Sequence, residues 1–284
     1  MIFEHEIPSG SRLYFGESAR LKREIEASAA SLLEKRGYRE MVTPLFSHHQ
    51  HESFDDPRKL IRLNDSENHA VSLRADSTAD VVRISTQRLE RSTGSKQWFY
   101  IQPVYHYPTC EQYQIGAEFL DGTFGRVAAD AILLLRELEI HPLLQIANIA
   151  IPHILSEKYG IALQDLKTMH IGRILASGHS WMEKLLHLAR VKDLENLESF
   201  PDDISAELIK MREAISDINY DRIVISPLYY AKLRYYDSLI FRFFESNILY
   251  ATGGIYRIDA VRGAGFAVLT DACIAKKMQK GIHE

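Results

Sequence analysis

An α+β fold, built as one mixed domain with a helical excursion, is what this sequence predicts. Three observations predict it. Strand-like runs mixed with amphipathic helices occupy the first half of the chain. From Ile151 to Ile218 the patterns are helical, with almost no strand signal. Strand-like runs then return at 222–226, 239–244 and 265–269. Strands, then helices, then strands argue against alternating βαβ units. A chain of 284 residues suffices for one large domain or two modest ones.

The elements follow in order. Leu21, Ile25, Ala29 and Leu32 recur at helical spacing, so residues 17–36 read as an amphipathic helix that stops at Gly37. Tyr38 to Pro44 reads as a strand ended by proline. Residues 58–65 and 69–74 read as a strand pair around a polar turn. A helix is expected from Ser77 to about Thr93, with Asp76 or Ser77 as its cap. Trp98–Tyr107 and Ile115–Leu120 follow as strands, and residues 126–140 as a helix. Glycines 160, 172 and 178 and Pro201 punctuate the helical stretch, in which 180–197 reads as one helix. A last helix is expected from Ala275.

Bulk properties narrow the function. A net charge of −4 gives no general attraction to nucleic acid. Two cysteines make no disulfide framework and fit a reducing compartment. No signal peptide or membrane span of about 18 apolar residues is visible, so a cytoplasmic globular protein is expected.

The chemistry concentrates in Gln114-Ile115-Gly116-Ala117-Glu118. On a strand, residues four apart share a face, so Gln114 and Glu118 could together hold an ammonium or imidazole group. A polar strand face explains them as well. Asp76 and Thr78 read either as a helix cap beside Arg74 or as ligand contacts. Tyr235 and Tyr236 are either ordinary strand aromatics or pocket residues, and Gly253-Gly254 marks a bulge or a close backbone approach. His48, His49 and His51 lack the partners of a metal site, and nothing electropositive activates Cys110.

Taken in order, these segments resemble the catalytic core of histidyl-tRNA synthetases. More closely they resemble the non-catalytic relative of those enzymes, the regulatory subunit of ATP phosphoribosyltransferase. Ile7-Pro8-Ser9-Gly10 resembles the family's opening Leu-Pro-x-Gly, and Gly37 through Leu45 its dimer-forming motif 1. Leu73-Arg74-Ala75-Asp76-Ser77-Thr78 resembles Leu-Arg-Pro-Glu-Gly-Thr, with Asp76 in place of glutamate. Gln114-x-Gly116-x-Glu118 matches the histidine-binding strand, and Tyr235-Tyr236 a tyrosine pair that contacts histidine. Thr252 through Asp259 resembles a Gly-Gly-Gly-Arg-Tyr-Asp strand, and Gly263 through Val268 resembles motif 3. Each match is short; their order and spacing carry the resemblance.

Three departures bear on activity. The nucleotide-binding arginine of motif 2 aligns with His106, that of motif 3 with Ala272, and the arginine before the tyrosine pair with Ala231. Adenylate chemistry depends on cations around the phosphates, and losing one typically costs about 10²- to 10³-fold in rate.

The resemblance therefore implies a class II aminoacyl-tRNA synthetase-like antiparallel sheet flanked by helices. Residues 1–150 and 219–284 would form the core and 151–218 a helical insertion, with no anticodon-binding domain. It implies no catalytic residue, cofactor or metal, and a histidine-like pocket of Asp76, Thr78, Gln114, Glu118, Tyr235 and Tyr236. The expected partners are the short-form ATP phosphoribosyltransferase catalytic subunit, a second copy in a homodimer, and histidine, with no tRNA and no membrane. The expected role is feedback regulation of histidine biosynthesis. Two other readings stay open: a shortened adenylate-forming synthetase, and a dimeric module repurposed to bind another small molecule or protein.

Overall fold

A computed structural model describes residues 6–48, 56–230 and 235–280. Its first helix, α1 (Gly16–Lys35), buries Leu21, Ile25, Ala29 and Leu33 along one stripe. The short strand β1 (Arg39–Glu40) follows. The predicted strand over 38–44 is reduced to these residues, because after Met41 N–H bonds the Phe99 carbonyl the chain turns away towards Pro44.

A small antiparallel sheet comes next, ordered β2 (Phe46–Ser47), β4 (Ala70–Leu73), β3 (Arg62–Asn64). The strand expected from residue 58 starts later. Pro57 opens a 3-10 turn instead, capped by the Asp56 carboxylate on Arg58 N–H. Arg74 stitches this sheet to its surroundings by donating to the carbonyls of Thr43, Pro44 and Pro103.

Helices α2 (Thr78–Ile84) and α3 (Glu90–Thr93) are joined by a π-helical turn at Ser85–Leu89, so the helix expected from 77 to 93 is present but changes pitch in its middle. The main sheet then begins with β5 (Gln97–His106) and β6 (Cys110–Leu120). After α4 (Phe124–Glu137), capped by Thr123, comes β7 (Leu143–Asn148). Sequence reasoning assigned no element to β7.

Five helices connect β7 to β8 (Ile223–Ile225): α5 (Ala150–Lys158), α6 (Leu163–Lys167), α7 (Ile171–Leu175), α8 (Met182–His187) and α9 (Asp202–Ser216). The single helix expected over 180–197 is broken. The Asp193 carboxylate accepts from Ala189 and Arg190 N–H, which starts a separate 3-10 turn at Val191–Leu194. Strands β9 (Tyr236–Glu245), β10 (Ile248–Ile258) and β11 (Val261–Leu269) complete the sheet, and α10 (Thr270–Lys280) starts five residues before the expected position.

The eight strands run β1-β5-β6-β11-β10-β9-β7-β8. The six inner strands are antiparallel to their neighbours, as expected, whereas β1 and β8 join the two edges in parallel. One face carries Phe99, Ile115, Phe241, Phe243 and Phe266, all buried, and α1, α4 and α10 cover it. The fully buried Asp130 on α4 ties the end of α1 in place, accepting from Arg36, Tyr38 and Arg126. The opposite face holds the candidate site. No helix among the described residues is long and apolar enough to cross a membrane.

Candidate functional site

The pocket face is built by register. Glu118 on β6 lies opposite Trp98 on β5 and Gly265 on β11, and Gly265 lies opposite Gly254 on β10. Cross-strand partners share a face, so the glycines let the carboxylate lie close against the sheet. A Cβ added at Gly265 would fall 2.7 Å from the Glu118 carboxyl carbon, so the Glu118 side chain leans over β11 where any larger residue would displace it.

Four elements then enclose the carboxylate. Thr78, in the first turn of α2, donates to Glu118 Oε1 at 2.7 Å, and the Tyr100 hydroxyl reaches the same oxygen at 3.5 Å. Asp76 lies just before α2. Its Oδ2 accepts from Ala79 N–H at 3.1 Å, which caps the helix, and its Oδ1 accepts from the Tyr235 hydroxyl at 3.0 Å. The cap and the pocket contact, alternatives in the sequence, are made by one side chain. Tyr235 packs against Tyr236 and Tyr256, with ring centroids 5.1 and 6.0 Å away. Just after Gly254 the pairing of β10 with β9 shifts register, so the bulge expected at Gly253-Gly254 is present.

Two atoms in this enclosure are buried without a hydrogen-bond partner: Glu118 Oε2 and the Tyr256 hydroxyl. Burial pushes the Glu118 carboxyl well above the usual glutamate range, and the nearby charge of Asp76 raises it further. Asp76 itself is raised to about 6, chiefly by burial. The Tyr100, Tyr235 and Tyr256 phenols are raised as well, first by burial and then by nearby carboxyl groups, Glu118 and Asp76 for Tyr100 and Tyr235 and Glu118 for Tyr256, so they remain neutral donors. Two buried acids thus share one pocket, and the Oε2 atom of one of them, Glu118, has no hydrogen-bond partner. Such an arrangement favours an incoming cation, because a positive charge relieves both carboxyl groups at once.

The structure brings five of the six expected residues together: Asp76, Thr78, Glu118, Tyr235 and Tyr236. Gln114 shares their face but stands on the rim. The tip of the Tyr100 ring occupies the space over Gly116, between Gln114 and Glu118, and the Gln114 amide donates to Gln112 at 3.1 Å. Tyr100 and Tyr256 are pocket residues that the sequence reading did not single out; their place depends on strand register, for which a single sequence carries no local signal. Arg74, a neighbour of Asp76 in sequence, is committed to backbone carbonyls rather than to the pocket. Of the three positions where family arginines are replaced, His106 ends β5 and Ala272 lies on α10, while Ala231 falls outside the described residues. His48 Nδ1 lies 3.4 Å from the Ala70 carbonyl oxygen; His49 and His51 also fall outside the described residues.

An antiparallel sheet with a buried acid-tyrosine pocket on one face and helices on the other is the class II synthetase-like architecture, of the histidyl type. Solved structures agree. An ATP phosphoribosyltransferase regulatory subunit/histidyl-tRNA synthetase from Bacillus halodurans superposes with a TM-score of 0.81 at 18% identity, covering 97% of this chain and 84% of that one. The apo histidyl-tRNA synthetase of S. aureus gives 0.67 at 18% identity, covering 98% and 74%. The sequence profile of histidyl-tRNA synthetase matches residues 13–170.

Curated relatives are more specific. The ATP phosphoribosyltransferase regulatory subunit of Wolinella succinogenes is 43% identical over 278 residues, 97% of each chain. That of Helicobacter hepaticus is 38% identical over 276 residues, 96% of this chain and 98% of its own. The chain belongs to the family of ATP phosphoribosyltransferase regulatory subunits.

Proposed function

We propose that this chain binds an ATP phosphoribosyltransferase catalytic subunit and adjusts its activity in histidine biosynthesis, leaving the chemistry to that partner. The observation that carries the reading is the near full-length similarity to two regulatory subunits. The replaced arginines support it: a site without cations at the His106 and Ala272 positions has little means of stabilising phosphoryl transfer. The same replacements weigh against the adenylate-forming alternative. The chain would act as a homodimer, for which Val42, Leu45 and Phe46, exposed apolar residues in and beside the motif 1 segment, offer a surface.

Histidine is the proposed effector, and the Glu118 pocket its site. A protonated imidazole or ammonium group at Glu118 Oε2 would satisfy that unpartnered atom, with Thr78, Asp76, Tyr235 and Tyr236 around it. Feedback then requires that histidine bind the complex differently in its active and inhibited states. The decisive experiment is co-purification with the catalytic subunit of the same genome, followed by activity measurements with and without histidine. The expected result is a stable complex whose inhibition by histidine weakens at least about tenfold, or 1.4 kcal/mol, in Glu118→Gln. Absence of a complex would remove the regulatory reading. A complex whose inhibition is unaffected by Glu118→Gln would move the effector site elsewhere.

A further inference from the structure

Among the described residues, Glu118 Oε2 lacks a partner at one end of the pocket, and Arg242, on the same face of the sheet, lacks a carboxylate partner at the other. Arg242 lies on β9 two residues from Ile240, which is opposite Gly254 in the Glu118 row. Its own cross-strand row reads Gly116, Ala267, Thr252, Arg242, Gln145. Between Glu118 and Arg242 the face carries Gly265, Gly254, Ala267 and Thr252 together with the buried Ile240. Tyr236 and Tyr229 pack against Ile240, and Tyr235 packs against Tyr236. The charges of both Glu118 and Asp76 reach Tyr236, and Arg242 lies 4.8 Å from the centre of the Tyr229 ring.

Arg242 is half-buried, and among the described residues no carboxylate pairs with it. Its hydrogen bond goes to the neutral Gln145 Oε1 at 3.3 Å, longer than a charge-assisted bond. A half-buried guanidinium held by a neutral amide and aromatic rings gains most from an anionic oxygen pair, which it binds in fork geometry.

We infer that Arg242 is the carboxylate-binding end of the site, so that it takes a zwitterion with its basic group at Glu118 and its carboxylate at Arg242. This rests on the reading of the Glu118 pocket as a histidine site. The dimensions agree. The Glu118 carboxylate leans over β11, two strand spacings from β9, and Arg242 is one same-face step further along, giving about 12 Å. An extended arginine covers about half of that length, leaving about 6 Å, the span between the imidazole and carboxylate of histidine. Arg242 would leave Gln145 to make this contact. Arg242 thereby answers the loss of the family arginine at the Ala231 position with a cation from a different strand.

The test is calorimetry on the full chain with histidine and with histamine, which is histidine without its carboxylate. Wild type is expected to bind histidine at least tenfold more tightly than histamine. Arg242→Gln is expected to lower histidine affinity at least tenfold and leave histamine affinity within twofold, and Arg242→Lys to restore most of the preference. Arg242→Gln is checked by its unfolding midpoint, and unchanged histamine binding independently reports an intact pocket. Wild type binding both ligands equally, or Arg242→Gln keeping the preference, overturns the inference and leaves the histidine pocket standing. Wild type binding neither ligand overturns both.

Discussion

The two faces of the eight-stranded sheet share one backbone and differ in almost everything else. The face beneath α1, α4 and α10 alternates Phe99, Ile115, Phe241, Phe243 and Phe266 into a continuous apolar layer. The other face, read across the same strands, presents Tyr100, Gly116, Glu118, Gly265, Thr252 and Arg242. The first face fills its space with apolar side chains, and the second uses glycines to let polar side chains lie close to the sheet, as Tyr100 does over Gly116 and Glu118 over Gly265, with two buried polar atoms left without partners. Along the middle of β6 and β9 the alternation places Ile115, Phe241 and Phe243 on the apolar face and Gly116, Glu118 and Arg242 on the other. A ligand-free pocket of this kind is a local stability deficit, because the groups that would recognise the ligand are desolvated before it arrives.

The largest effect that separates the faces is expected from Phe241→Ala. Phe241 is fully buried and packs edge-to-face against Phe124 and Phe243, at 5.6 Å in both cases. Its truncation should cost about 3–5 kcal/mol by urea unfolding, without changing histidine affinity in the fraction that remains folded. A cost below about 1 kcal/mol would mean that the apolar face is not the stabilising one.

The next effect is a pH dependence on the pocket face. Asp76 titrates at about 6 in the folded chain against 3.8 ordinarily, so the folded state keeps this proton longer than the unfolded state does. Its contribution to stability is therefore full below about pH 4 and lost as pH rises through about 6. Unfolding free energies of wild type minus Asp76→Asn, measured from pH 4 to 7 without histidine, should fall by up to about 3 kcal/mol. A difference that stays flat would place Asp76 in a solvated setting unlike the one described.

What could be read from sequence follows the same division. The apolar stripe of α1 and the strands β5 and β6 were visible because a core face imposes a local period on its own residues. Glu118 was visible through its spacing from Gln114, yet Tyr100, Tyr256 and Arg242 join it only through pairings across β5, β11, β10 and β9. Register is a non-local property, and one strand does not encode its neighbour's offset. The strand β7 was missed because its six residues follow a turn with Pro142 and lead directly into α5, leaving no room for an alternation to show. The break at Leu188 was missed for a different reason: helix formers surround it, and the decision is made by Asp193 capping the next turn.

The smallest stability effect tests the comparison most closely, because its sign should be reversed. Glu118→Gln keeps the shape and the oxygen that accepts from Thr78, removes an acid whose ionisation is opposed by burial and by Asp76, and supplies an N–H group where Glu118 Oε2 lacks a partner. On a binding face the ligand-free protein should gain about 1 kcal/mol at pH 7. A change of similar size on the apolar face, Ile115→Val, should lose about 1 kcal/mol. Histidine should then raise the unfolding midpoint of wild type and of Ile115→Val, and leave Glu118→Gln unmoved, because only a ligand that binds the folded state stabilises it. If Glu118→Gln destabilises the free chain as the core substitution does, Glu118 is part of the scaffold, and the polar face is not a site shaped for a cation.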